Sequence, residues 1–268
     1  MKKLFISADI EGTSGIAHWD ETEKSKAHDY DYFAAQMTRE VCAACEGAHD
    51  AGAEEIVVKD AHDTGRNVNP RQLPEYAKVF RSWSGHPYSM MFGLDESFDG
   101  VVFTGYHSGA QMPGNPLSHT MNGRNNFVKI NGELASELMM NSLTAASLGV
   151  PVYCVCGDKG LCDWMQSVNP NIAAAPVSQG TGNGSLGVHP DVAVRMIRET
   201  VAKVIATKTK EECMFPMPGH FHVEVSFKDH FRAYNASFYP GARQTDAREV
   251  EFDSDDWFEV LCFTHFVL

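Results

Sequence analysis

Three short apolar runs constrain this chain more than any other feature. Lys3 to Ala8, Glu55 to Lys59 and Asp99 to Thr104 each read as a buried strand, and each stops at a chemically active group. The groups are Asp9 with Glu11, Asp60 with His62, and Gly105-Tyr106-His107. Helical periods lie between the strands. Tyr30 to Ala51 carries Phe33, Met37, Val41, Ala44 and Ala48 on one face, and Gly52 ends it. Glu133 to Leu148 predicts a second helix, stopped by Gly149 and Pro151. Val152 to Cys156 is a further strand, with a helix near 159–167 after it, and Pro190 to Thr207 is a helix with proline in its first turn. Phe127 to Ile130 reads as one more short strand. Strands alternating with helices predict an α/β fold, a mostly parallel sheet with helices on both faces. From about residue 210 the pattern changes to an alternating strand at Phe221 to Phe227 and a strand plus final helix over 249–268. The expected organisation is a catalytic α/β domain over 1–209 and a smaller C-terminal α+β portion over 210–268.

Ligands of open α/β sheets collect where the strands end at their carboxyl side. D-I-E-G at residues 9–12 and D-A-H-D at residues 60–63 each set an acid and a second ligand type two positions apart, so both can turn to the same side. Taken singly these residues are ordinary, because a strand-end aspartate caps turns and a lone histidine is usually structural. Three strand ends with the same habit bring carboxylate and imidazole donors to one rim, which is what a metal centre requires.

The motifs at these strand ends resemble those of the D-aminopeptidase family of dinuclear zinc peptidases. Ala8-Asp9-Ile10-Glu11-Gly12-Thr13-Ser14-Gly15, Lys59-Asp60-Ala61-His62, Gly105-Tyr106-His107, Leu117-Ser118-His119-Thr120-Met121 and the stretch from Ile130-Asn131-Gly132 to Ser136-Glu137 carry the likeness in order, over roughly residues 3–160. The resemblance implies two zinc ions, with manganese or cobalt suiting the same mixed donors. It implies Asp9 as the bridging carboxylate, Glu11 and His62 on one metal, and His107 and Glu137 on the other. Glu137 is expected one turn into the helix that begins near Glu133, and Glu133 is the competing choice. Asp60 is expected to orient a ligand from behind, with turn capping as its other role. His119 is implied as the catalytic histidine, acting on the oxyanion or the leaving amine. The implied activity is metal-dependent removal of the amino-terminal residue of short peptides or aminoacyl amides, D-residues included, by a homo-oligomer that in this family is a decamer.

Composition narrows the partners. A formal charge of −13 speaks against nucleic acid and anionic membranes, both of which need clustered cations. Leu4-Phe5-Ile6 is too short for a signal peptide, and no apolar stretch approaches a membrane span. The 7 cysteines follow no disulfide framework, and Cys42-x-x-Cys45 reads as buried thiols, so a reducing, cytoplasmic setting is expected. Gly182-Asn183-Gly184-Ser185-Leu186-Gly187 matches G-x-G-x-x-G, but no helix follows at once, so a flexible glycine loop is expected rather than a nucleotide site. Relatives carry basic residues in that stretch, whereas this chain has none between Lys159 and Arg195, which bears on substrate more than on metals. Two other readings stay open: a different two-metal amide or phosphoester hydrolase, for which Arg66, Arg71 and Arg124 are the nearby cations, and a non-catalytic metal-binding module. Trp83, Tyr88, Met90, Met91 and Phe92 read as core, with an interface as the alternative.

Overall fold

The computed structural model describes residues 1–268, the side chain of Ala27 aside. In chain order its elements are β1 (Lys3–Ala8), α1 (Ala27–Asp50), β2 (Glu55–Asp60), β3 (Ala77–Phe80), β4 (Gly100–Tyr106), β5 (Asn125–Ile130), β6 (Glu133–Leu134), α2 (Glu137–Ser147), β7 (Val152–Asp158), α3 (Lys159–Val168), β8 (Ala173–Thr181), β9 (Gly184–Gly187), α4 (Pro190–Thr207), β10 (Phe221–Phe227), α5 (His230–Ala236), β11 (Arg243–Asp246), β12 (Glu249–Ser254) and α6 (Trp257–Val267). One sheet has seven strands in the order β3-β2-β1-β4-β7-β8-β9, parallel except for the last pair. A second, antiparallel sheet of five runs β11-β12-β10-β5-β6.

The central strands are apolar on both faces because both faces are covered. Leu4, Ile6, Ile56 and Val58 pack with Met37 and Val41 of α1 and Ile197 and Val201 of α4. Phe5, Val57, Val101 and Phe103 face the other way, into a core shared with α2, α3, α6 and the second sheet. The chain passes from β1 outward to β2 and β3, then returns to lay β4 on the other side of β1. The carboxyl ends of β1 and β4 therefore flank the point where strand order reverses, where a doubly wound sheet leaves a crevice.

The backbone there is tightly fitted. Gly12 N donates to Gly105 O at 2.8 Å, and a Cβ on Gly12 would stand 1.9 Å from the Tyr106 carbonyl oxygen. A Cβ on Gly157 would meet that same oxygen at 1.9 Å from the other side. Only glycine admits such an approach.

Some expectations change. The helix expected from Glu133 begins at Glu137, because Asn131 and Gly132, with φ of 53° and 82°, turn β5 back into β6 first. Asn-Gly with both residues left-handed is a hairpin signal, and it overrides helix propensity here. Glu137 thus sits in the first helical position rather than one turn in, behind the cap Ser136, whose side chain accepts from Met139 N. The 178–187 glycine stretch is not a flexible loop but the β8–β9 hairpin, turned at Gly182. The strand at 127–130 joins the second sheet, so that sheet is not built from residues 210–268 alone: β10 pairs with β5 on one side and β12 on the other.

Candidate metal centre

Asp9 and Glu11 leave the end of β1, His62 follows β2, His107 follows β4, and Glu137 opens α2. The fold brings all five together. His62 Nδ1 lies 3.4 Å from Asp9 Oδ1 and 3.1 Å from Glu11 Oε2. His107 Nε2 lies 3.5 Å from Asp9 Oδ2 and 3.5 Å from Glu137 Oε2. The two oxygens of Asp9 thus face two different imidazoles, and two donor triads, Asp9-Glu11-His62 and Asp9-His107-Glu137, share that carboxylate. His119 completes a third grouping with Glu11 and His107. Its Nε2 is 3.6 Å from Glu137 Oε1, and its ring stacks on His107 at 4.3 Å. The carboxylates and His107 are buried, whereas the His119 side chain keeps 14% exposure at the open side.

The proton positions on the three rings follow from their outer contacts. His62 Nε2 sits 2.9 Å from the Thr22 carbonyl, His107 Nδ1 2.9 Å from that of Ser108, and His119 Nδ1 2.9 Å from that of Leu117. A carbonyl only accepts, so each outer nitrogen carries the hydrogen and, in the neutral ring, each inner nitrogen presents a lone pair. Those lone pairs point at carboxylate oxygens. Anion and lone pair repel unless a proton or a cation lies between them. His107 Nε2 and Glu11 Oε2 are buried without a hydrogen-bond partner, as ligand atoms awaiting a cation would be. Carboxylate and imidazole donors in this number suit divalent zinc, manganese or cobalt.

The electrostatics agree. Burial pushes the Asp9 carboxyl well above its ordinary range, helped by the neighbouring Glu11. Burial would raise Glu11 too, but the His62, His107 and His119 imidazoles outweigh it and hold that carboxyl well down. His62 and His107 are opposed by burial, yet the Glu11 and Glu137 carboxylates lift them well above the usual imidazole value. His119 goes the other way: burial and the adjacent His107 lower it.

Loops around the centre are fixed from behind. Asp60 makes no hydrogen bond to any of the five candidate ligands' side chains; it accepts from Asn67 N at 2.5 Å, Asn67 Nδ2 at 2.8 Å and Val68 N at 2.7 Å. Asn67 Nδ2 also donates to the His62 carbonyl at 2.7 Å, so Asp60 reaches His62 only through that amide. Glu40, buried on α1, accepts from Ser14 N and Ser14 Oγ at 3.0 and 2.6 Å and pins the loop after Glu11. Asp158 accepts from Ser108 Oγ at 2.8 Å and from Leu161 N at 2.9 Å, joining the His107 loop to α3. Met121 N donates to Glu137 Oε1 at 2.6 Å. Asn67, Thr22 and Glu40 carried no sequence signal, since their roles exist only once the loops have closed.

A cavity of about 720 Å³ opens above the cluster, lined by Asp9, Glu11, His62, His119 and Glu137 among others. Asn122 lines it, whereas Arg124 turns away and donates to the Leu268 carbonyl. Of the expected core group, Met90 and Met91 are buried while Trp83 stands at the cavity wall, 40% exposed. Cys42 and Cys45 are free thiols, and burial pushes Cys42 up to about 11, so neither is an activated thiolate.

Comparison with known proteins places these features in context. A family model described as D-aminopeptidase matches residues 1–266. The chain is 30% identical over 259 residues to a D-aminopeptidase of Bacillus subtilis (strain 168), covering 96% of this chain and 93% of that one. Its fold superimposes with a TM-score of 0.91 on the Zn-dependent D-aminopeptidase DppA from Bacillus subtilis, described as a self-compartmentalizing protease; the two share 26% identity over 99% of this chain and 96% of that chain.

Proposed function

This chain belongs to the D-aminopeptidase family, and on that footing we propose that it removes the amino-terminal residue from short peptides or aminoacyl amides, D-residues included, as a zinc-dependent hydrolase. Asp9, Glu11, His62, His107 and Glu137 would hold two zinc ions, Asp9 being the residue common to both donor triads. The reading rests above all on the Asp9 carboxylate, whose oxygens face His62 Nδ1 at 3.4 Å and His107 Nε2 at 3.5 Å.

When bound, a metal pair supplies Lewis-acid polarisation of the scissile carbonyl and lowers the pKa of a coordinated water. The chain supplies the rest. Away from the ligands, Glu23 and Asp63 outnumber Lys24 on the cavity lining, a negative approach that draws the substrate's ammonium group. His119, held neutral by its surroundings and oriented by the Leu117 carbonyl, presents Nε2 as a base. Nε2 accepts the proton released by the attacking water; the resulting Nε2–H then stabilises the oxyanion and passes to the leaving amine. Asp60 acts at one remove, keeping the 62–68 turn in place through Asn67.

A phosphoester substrate fits less well, because Lys24 is the single lysine or arginine lining the cavity among the described residues. The deciding experiment is metal analysis combined with a panel of D- and L-aminoacyl amides and dipeptides, with and without a chelator. About two equivalents of zinc and chelator-sensitive release of the amino-terminal residue are expected. Less than one equivalent and no hydrolysis would favour a non-catalytic metal-binding module.

Assembly into a homo-oligomer, a decamer, belongs to the same proposal. It is supported by the description of the relative as self-compartmentalizing and by exposed Phe231, Tyr234, Phe238 and Phe266 on and beside α5 and α6. Free thiols throughout favour the cytoplasm as its location.

A further inference from the structure

Two tryptophans stand at the mouth of the cavity, both more than a third exposed: Trp19 at 38% and Trp83 at 40%. Large aromatic surface left open to water beside an acidic, metal-ligating floor is costly unless something covers it. Both rings are fixed rather than free. The Trp83 Nε1–H donates to the Asp63 carbonyl, next to His62, at 2.6 Å. Beneath the ring lies the fully buried Lys59, its ammonium 4.0 Å from the ring centroid and bonded to the carbonyls of Asp60 and Ser82. Trp19 meets the His119 ring edge-on at 5.1 Å. It opens a single 3₁₀ turn, Trp19–Glu21, held by a reciprocal cap in which Glu21 accepts from Ala17 N and His18 N at 2.7 and 3.0 Å. Thr22 closes that turn, donating from Oγ1 to the Trp19 carbonyl at 3.0 Å, while its own carbonyl receives His62 Nε2.

One tryptophan therefore adjoins His62 and the other His119, and the donor cluster lies between. The cavity also takes apolar surface from Met90 and Met121, while its other charged lining, Glu23 and Asp63 against Lys24, is acidic overall. Preset aromatic walls cost little ordering on binding and reward side chains that bury against them. We propose that Trp19 and Trp83 form a substrate-selecting wall, so that this enzyme prefers large apolar side chains beside the scissile bond and rejects acidic ones. This deepens the peptidase reading and rests on it for the reaction, though not for the recognition.

The test compares alanine, leucine, phenylalanine and glutamate, in both D and L forms, as aminoacyl amides and at the second position of alanyl-dipeptide amides. The readout is kcat/KM with the zinc-loaded protein. The amino-acid hydroxamates of the same residues, titrated calorimetrically, report recognition without turnover. Wild type is expected to favour leucine or phenylalanine over alanine by about tenfold or more at one position, a step typical of an apolar pocket. Trp83→Ala and Trp19→Ala are expected to shrink that ratio toward one, and Trp83→Phe to keep most of it. Where Trp83→Ala loses its zinc or its fold, Trp83→Gln gives the same reading with a side chain of similar length. A hydroxamate preference without any hydrolysis would fault the peptidase assignment and leave the wall standing. Hydrolysis with no preference for size, or a preference that both tryptophan variants retain, overturns the wall alone.

Discussion

At the scale of single residues, the proposed centre would give His62 Nδ1, His107 Nε2 and the carboxylate oxygens facing them a cation to share. Asp9→Asn retains the volume and removes the charge both triads share, so the variant is expected to bind fewer than two equivalents of zinc; two full equivalents by metal analysis would contradict the bridging role. His119→Ala is expected to retain the metals and lose roughly 10²- to 10⁴-fold in kcat, the range of a lost proton-transfer group; unchanged turnover sinks the assignment. Lys59 offers a pH-dependent check on burial. Desolvation brings its ammonium down to about 8 from an ordinary 10.5, so the folded state gives up the proton before the unfolded state does. The resulting destabilisation is complete below about 8 and gone above 10.5. Relative to Lys59→Met, wild type is therefore expected to gain about 2–3 kcal/mol of stability as pH rises through that window, read by denaturant unfolding at several pH values. Asp9, Glu11, Asp60, His62 and His107 were legible because an apolar run ends in front of each pair or group. Glu137 and His119 were not, for they lie in stretches whose direction depends on the β5–β6 turn, and only the family likeness singled them out. Trp19 carried no signal and Trp83 read as core or interface, since an aromatic residue does not announce a cavity until a loop is seen to hold it there.

At the scale of elements, strands and long helices were readable and hairpins were not. α1, α4 and the strands β1, β2 and β4 follow from periodicity, because each buries a face that the pattern already marks. The misreadings fell on β6 and β9, elements of two and four residues that exist through their turns and partners, while β3, β8, α5 and β11 were not anticipated at all. The Asn131-Gly132 pair was the available clue to the first. The loop after β1 is bound to its neighbours by backbone proximity. Gly12→Ala would place a methyl 1.9 Å from the Tyr106 carbonyl oxygen, where main chain cannot yield as a side chain can. The expected result is a loss on the order of 3 kcal/mol in stability, together with weaker metal binding because Asp9 and Glu11 flank the displaced turn. Wild-type-like unfolding and zinc content in that variant would show the contact to be slack.

At the scale of the whole molecule, the parallel sheet with its covering helices was legible, but the way the second sheet forms was not. Its five strands join residues 125–134 to residues beyond 220, and no local pattern announces a pairing across such a distance. The consequence is that the C-terminal strands and α6 depend on a segment that also leads into Glu137. The aromatic face of α5 and α6 is the natural place to perturb assembly: Phe238 and Phe266 are 69% and 72% exposed. Phe238→Ser with Phe266→Ser is expected to reduce the mass measured by light scattering from an oligomer toward a protomer while leaving zinc content intact. An unchanged oligomer would move the interface elsewhere, and a wild-type protomer would remove it.

The His62 ring is tied to both the chemistry and the doorway. His62 faces the donor cluster with Nδ1 and holds the Thr22 carbonyl with Nε2, directly behind the turn that carries Trp19. A cation drawn to one nitrogen withdraws electron density from the ring and makes the opposite N–H a better donor. Loading the enzyme would then also tauten its entrance, and a starved enzyme would be slack at the very threshold where its substrates are screened.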